Sequence, residues 1–152
     1  LSILVSNCYG IKDYAGIHAY VKRGILMIFG TSLSLSILLY IFRYSAVGMF
    51  TDSPEVAEIA VVLFYVLFAY QIGDGIQLCF ANVLRGLQDV KPIMYAAFVS
   101  YYLIAIPVAY VLGFKAGLGA VGVWLGFPIG LTLAGLFFYA RYRSDMRRLT
   151  AE

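Results

Sequence analysis

Residues 59–84 read IAVVLFYVLFAYQIGDGIQLCFANVL, and a single charge, Asp74, interrupts them. At about 1.5 Å per helical residue the run exceeds the roughly 30 Å hydrocarbon core of a bilayer. It shows no period-two alternation, so it reads as a transmembrane helix and not as a strand. On either side of it, the runs 24–42, 92–114 and 116–140 carry no Asp, Glu, Lys or Arg at all. Each is long enough to span, whereas the charge-free run 1–11 is too short. Hydrophobic residues make up 62% of the 152 and charged residues 12%. Soluble domains sit near 45–50% apolar and about 25% charged. This balance excludes a disordered chain, a nucleic-acid-binding domain and a disulfide scaffold, and argues against a soluble enzyme. The expected fold is an all-α integral membrane protein with four complete transmembrane helices plus the end of a fifth.

The expected elements are a helix end at 1–9, helices at 13–43, 53–85, 90–114 and 119–143, and a tail at 144–152. Asp52, Ser53, Pro54 and Glu55 form a helix start, with a capping oxygen, an N-terminal proline and acids on the positive end of the dipole. Arg85 and Gly86 form a stop, with Gly86 expected to turn left-handed. Asp89 and Pro92 are expected to open the next helix. Pro107 and Pro128 lie inside spans and are expected to kink them. Gly122, Gly126, Gly130 and Ala134 recur every four residues, a small-residue face that another helix can approach closely. Cys8 and Cys79 lack metal-ligand spacing and read as packing residues, and His18 reads as a solvated loop residue.

Nine of the 11 lysines and arginines fall on one side of the bundle: Lys12, Lys22, Arg23, Arg85, Lys91, Arg141, Arg143, Arg147 and Arg148. Arg43 and Lys115 fall on the other. The positive-inside rule then places the C-terminus in the cytoplasm and the protein in the cell (inner) membrane as a multi-pass protein. Because residues 1–11 begin within an apolar segment, the chain reads as the C-terminal piece of a longer membrane protein.

A carboxylate in mid-span costs about 2.5–3.5 kcal/mol on insertion scales. Asp74 is therefore the candidate functional residue. At 100° per residue Gln71, Asp74, Asn82 and Arg85 share an arc of about 80°, and Gln77 widens it to about 140°. The expected cation site is Asp74 with Gln71 and Gln77, holding Na⁺ through oxygen ligands or taking up H⁺. Tyr70, Asn82 and Tyr101 are candidate cavity-lining residues, and Tyr65, Tyr95 and Tyr102 offer further aromatic surface to an organic cation. The plain alternative is a structural Asp74 hydrogen-bonded to another helix. With one intramembrane acid, one histidine and no phosphate-cradling glycine loop, the chain is not expected to be an enzyme, and no cofactor beyond the coupling ion is expected.

The stretch Tyr70-Gln71-Ile72-Gly73-Asp74-Gly75-Ile76-Gln77, followed by Asn82-Val83-Leu84-Arg85-Gly86-Leu87-Gln88-Asp89, resembles the tenth helix of multidrug and toxic compound extrusion (MATE) transporters of the NorM-type branch. Ser6, Asn7 and Gly10 resemble the turn after the family's eighth helix, without its usual preceding Arg. Gly126-Phe127 and Gly130-Leu131-Thr132 resemble its twelfth helix. The resemblance implies part of the C-terminal lobe of a 12-helix fold, with residues 1–9 ending helix 8 and the four spans forming helices 9 to 12. It implies that Asp74 contributes to a coupling-cation site shared with an acid on the seventh helix, and that the N-terminal lobe of the same protein is a partner.

The expected function is a cation-coupled (Na⁺ or H⁺) antiporter that exports amphiphilic or cationic drugs. Two other readings compete. A lipid-linked saccharide flippase of the same broad superfamily would show cations in its helix cores. A stand-alone four-helix structural subunit would need a start codon just upstream of Leu1.

Overall fold

Every long apolar run forms a helix. The computed structural model describes residues 1–48 and 54–151, and contains no strand among them. Helix α1 (Ser2–Gly10) reverses at Ile11–Asp13, where Lys12 takes a positive φ of 58°. Asp13 then caps α2 (Tyr14–Gly48), accepting the Gly16 N–H at 2.9 Å on Oδ1. Helix α3 spans Pro54–Gly86, so the expected cap at Asp52 and Ser53 lies outside the described residues. The third span is composite: α4 (Lys91–Phe98), a π-helical stretch Val99–Ala105, α5 (Ile106–Tyr110) and a second π-helical stretch Val111–Lys115. Helix α6 (Gly119–Leu149) closes the bundle. Tyr14–Tyr44, Glu58–Gly86, Lys91–Lys115 and Gly119–Leu149 are each long and apolar enough to cross a membrane.

The buried core gathers at the basic end. Val5 and Cys8 of α1, Ile17 and Val21 of α2, Val83 and Leu84 of α3, and Phe138 and Tyr142 of α6 pack together there. Most of the apolar stretch of α2 is exposed, Ser36 being the buried exception in its outer half, as befits a surface that lipid or further helices cover. Both cysteines are free and buried, Cys8 within this core.

Several boundaries differ from the sequence expectations. Gly86 does not make the left-handed turn; Gln88 does, with φ 60°. The glycine serves a close approach instead: a Cβ there would stand 2.7 Å from the Ser2 carbonyl oxygen and 2.8 Å from Val5 Cβ. Asp89 does not cap α4, whose first turn holds Pro92 and has no side-chain cap bond. Residues 144–149, expected as a tail, continue α6, because Phe138, Tyr142 and Met146 at i, i+4 spacing keep one face in the core. His18 lies on α2, not in a loop, and its Nδ1 shares a hydrogen bond of 2.7 Å with the Tyr142 hydroxyl.

Pro107 is accommodated by a widened backbone. It has no N–H to give to the preceding turn, and the π-helical stretch 99–105 lies immediately before it. Such stretches absorb one extra residue per turn. The small-residue face of α6 packs on this span. A Cβ at Gly126 would stand 2.6 Å from Ala109 Cβ and 2.9 Å from the Ala105 carbonyl oxygen; one at Gly130 would stand 2.6 Å from Ala105 Cβ. The stripe is a helix–helix seam.

Candidate functional site

Helix α3 is wedged between α2 and α6, and its glycines set the spacing. A Cβ at Gly75 would meet Ile28 of α2 at 2.9 Å. A Cβ at Gly73 would meet Thr132 Oγ1 of α6 at 2.8 Å and the Pro128 carbonyl oxygen at 3.2 Å. Positions 71 and 75 thus face α2, while 73 and 77 face α6. At 100° per residue Asp74 projects between them, about 60° from Gln71 on one side and about 60° from Gln77 on the other.

The expected polar stripe is divided among its neighbours. Gln71 Oε1 accepts a hydrogen bond from the Ser36 hydroxyl of α2. The Gln77 backbone abuts α6, its N lying 3.1 Å from a Cβ placed at Gly135. Asn82 folds back on its own helix and donates to the Leu78 carbonyl at 2.9 Å. Arg85 is exposed. Asp74 is half-buried and forms no ion pair or side-chain hydrogen bond with another described residue. Among the described residues its carboxylate has no partner, in the middle of a span.

One aromatic residue of the third span, Tyr101, comes within electrostatic range of Asp74. Asp74 and Tyr70 lie close enough to the Tyr101 phenol to act on it electrostatically. The Tyr101 ring packs on α6, its Cδ1 lying 3.4 Å from a Cβ placed at Gly130. Tyr70 and Tyr101 are both half-buried. Tyr65, Tyr95 and Tyr102 are exposed and point elsewhere: Tyr65 edges against Tyr40, and Tyr102 stacks on Phe98. Among the described residues no cluster of three or more His, Cys, Asp or Glu exists. From the described residues, an ion held here would take the Asp74 carboxylate together with neutral oxygens.

Ser36 escaped the sequence reading. In the same helix Thr31 and Ser34 satisfy themselves on carbonyls one turn back, but Ser36 is buried and crosses to α3. Two grooves flank this contact, of about 310 and 350 Å³, and both are lined by Ser36, Phe68 and Gln71. The sequence signal was a hydroxyl in a spanning run, a group that must find an acceptor where water is absent.

At the basic end, Arg141 ties the turn after α3 to α6. Its Nε–H donates to Asp89 Oδ2 at 2.6 Å, and its Nη2 lies 3.3 Å from Asp145 Oδ1. The second oxygen of Asp145 is buried without a hydrogen-bond partner. Removing Arg141 leaves two facing acids without their ion-pair partner, with only the more distant Arg148 acting on Asp145. Because the pairs are partly exposed, Arg141→Ala is expected to cost about 1–3 kcal/mol, between the values for exposed and buried pairs. Thermal unfolding of the purified full-length protein checks this, and an unchanged midpoint would show that the tie carries no stability.

With four helices long and apolar enough to cross a membrane, and among the described residues no ion pair for the carboxylate in one of them, the chain has the architecture of a polytopic membrane protein. The MatE family model matches residues 1–111, and the chain belongs to that family. It is similar to the probable multidrug resistance protein NorM of Bacillus subtilis (strain 168), 37% identical over 141 residues, covering 91% of this chain and 31% of that protein. The multidrug resistance protein NorM of Photobacterium profundum is 31% identical over 147 residues, covering 94% of this chain and 32% of that protein. The fold matches the crystal structure of the eukaryotic MATE transporter AtDTX14 with a TM-score of 0.82 at 20% identity, over 97% of this chain and 34% of that one. The chain thus spans about a third of the length of the relatives it matches.

Proposed function

We propose that the protein carrying this chain is a cation-coupled antiporter that extrudes amphiphilic or cationic organic compounds, with Asp74 as its coupling-ion ligand. The carrying observation is the half-buried Asp74 carboxylate in mid-span with no protein partner among the described residues. Gln77 and Tyr70 lie three and four residues from Asp74 on the same helix, and Tyr101 is within electrostatic range of it, so their neutral oxygens are the candidate further ligands, whereas Gln71 already accepts from Ser36. The reading is of transport and not of enzymatic chemistry. The basic end faces the cytoplasm of a cell (inner) membrane under the positive-inside rule, and the N-terminal lobe and an acid-bearing seventh helix complete the site. Alternating access about a midplane site would then couple ion release to substrate exit.

The test is ethidium movement in vesicles holding the full-length protein, under an imposed Na⁺ or H⁺ gradient. Ethidium uptake into inverted vesicles driven by one of the two gradients is expected. Movement with neither gradient would remove the coupling. Tight binding of a lipid pyrophosphate without ethidium transport would favour the flippase instead.

A further inference from the structure

Beyond the ion site, the basic end of α6 carries a second arrangement of charge. A groove of about 520 Å³ is lined by Ala140, Arg143, Ser144, Arg147, Arg148 and Ala151. Their three- and four-residue spacing puts them along one side of the helix. Among the described residues, Arg143, Arg147 and Arg148 form no ion pair, while Arg141 is committed to Asp89 and Asp145. Three cations held along one side repel each other and call for an anion. Guanidinium forks match phosphate oxygens in geometry, and Ser144 adds a hydroxyl donor.

The position says which phosphate. The groove begins where the charge-free run 116–140 ends, at the depth where hydrocarbon gives way to headgroups. One turn further into the span, Leu136 and Phe137 are 54% and 47% exposed, an apolar track for an acyl chain directly beyond Ala140. Tyr139 is 40% exposed at the same border, and the Arg143 guanidinium lies 5.9 Å from its ring. A soluble phosphate would use the arginines and leave this track idle. We propose that the groove binds the headgroup phosphate of an anionic phospholipid, with its acyl chain lying along Leu136 and Phe137. The inference rests on the reading of α6 as a membrane span and is independent of the transport reading.

Native mass spectrometry of the full-length protein in neutral detergent tests it, titrating phosphatidylglycerol, phosphatidylcholine or inorganic phosphate. Phosphatidylglycerol adducts are expected to outlast those of phosphatidylcholine. Each juxtamembrane arginine contributes about a fivefold gain in attraction to an anionic lipid. The double substitution R143Q/R147Q is thus expected to weaken phosphatidylglycerol binding about 30-fold, and Lys22→Gln, on α2 outside the groove, to weaken it by no more than about fivefold. Should the double variant fail to purify, the single variants R143Q and R147Q are each expected to lose about fivefold. Undiminished binding in these variants would overturn the proposal. Displacement of the lipid by inorganic phosphate at equal concentration would overturn it too, by assigning a soluble-anion site. A protein that binds the lipid but moves no ethidium would sink only the transport reading.

Discussion

Ethidium transport by the full-length protein is expected to fall to the level of empty vesicles when Asp74 is replaced by Asn. The change is nearly isosteric: it keeps one accepting oxygen and puts a donating NH2 group in place of the other, so the main loss is the charge. Two unit charges 4 Å apart attract by about 4 kcal/mol at an effective dielectric of 20. Losing that term lowers affinity for a monovalent cation on the order of a thousandfold, and an exchange that must load the ion on each cycle stops. Asp74→Glu keeps the charge on a longer arm and is expected to retain part of the activity. Stability should move the other way. Asp74 has no ion pair among the described residues to lose, and removal of a mid-span charge lifts an insertion penalty of about 2.5–3.5 kcal/mol. Asn at 74 is therefore expected to leave yield and melting temperature at or above wild type. A structural carboxyl would show the opposite split, with lowered melting and transport lost only as folded protein is lost. Wild-type ethidium transport in Asp74→Asn would remove this carboxylate from the coupling mechanism.

The spans and the identity of the central acid were legible because both are local properties of the chain. Hydrocarbon thickness fixes how long an uncharged run must be, and one charge in residues 59–84 stands out against it. The neighbours were not legible, because a helical wheel gives directions and not partners. Gln71, Asp74 and Gln77 share one arc, yet α2 takes the first and α6 abuts the third, leaving Asp74 between them. The Ser36 contact joins residues 35 positions apart, and the His18–Tyr142 pair joins residues 124 apart; no periodicity reports such distances. Pro107 announced an irregularity, but whether a helix kinks or widens depends on what packs beside it. Here Ala105 and Ala109 sit against Gly130 and Gly126, and the widened turns keep that seam in register. Gly86 looked like a stop signal, and its second use, contact with α1, required knowing that α1 runs past it.

That seam carries the second large effect. Gly126→Leu combined with Gly130→Leu is expected to prevent recovery of folded full-length protein. A Cβ at either position already falls within 2.6 Å of an alanine Cβ on the facing span, a separation that real side chains do not reach. The facing atoms near Gly126 include the Ala105 carbonyl oxygen at 2.9 Å and Ala109 Cα at 3.1 Å. These are backbone positions that cannot rotate aside, so the two helices must separate. Overpacking costs about 1–3 kcal/mol per site where side chains can shift, and more where only backbone can. In the membrane no hydrophobic force between helices compensates, since close packing itself holds them together. Separation would also withdraw Tyr101, which packs on Gly130, from Asp74. Gly126→Ala, with one methyl group, should fall between, giving folded protein with a lowered melting temperature. Size-exclusion elution and thermal unfolding in detergent read out the series. If the double leucine variant elutes as a single sharp species and melts with wild type, α6 and the third span do not meet along this stripe. The placement of Tyr101 near Asp74 would then fall with it.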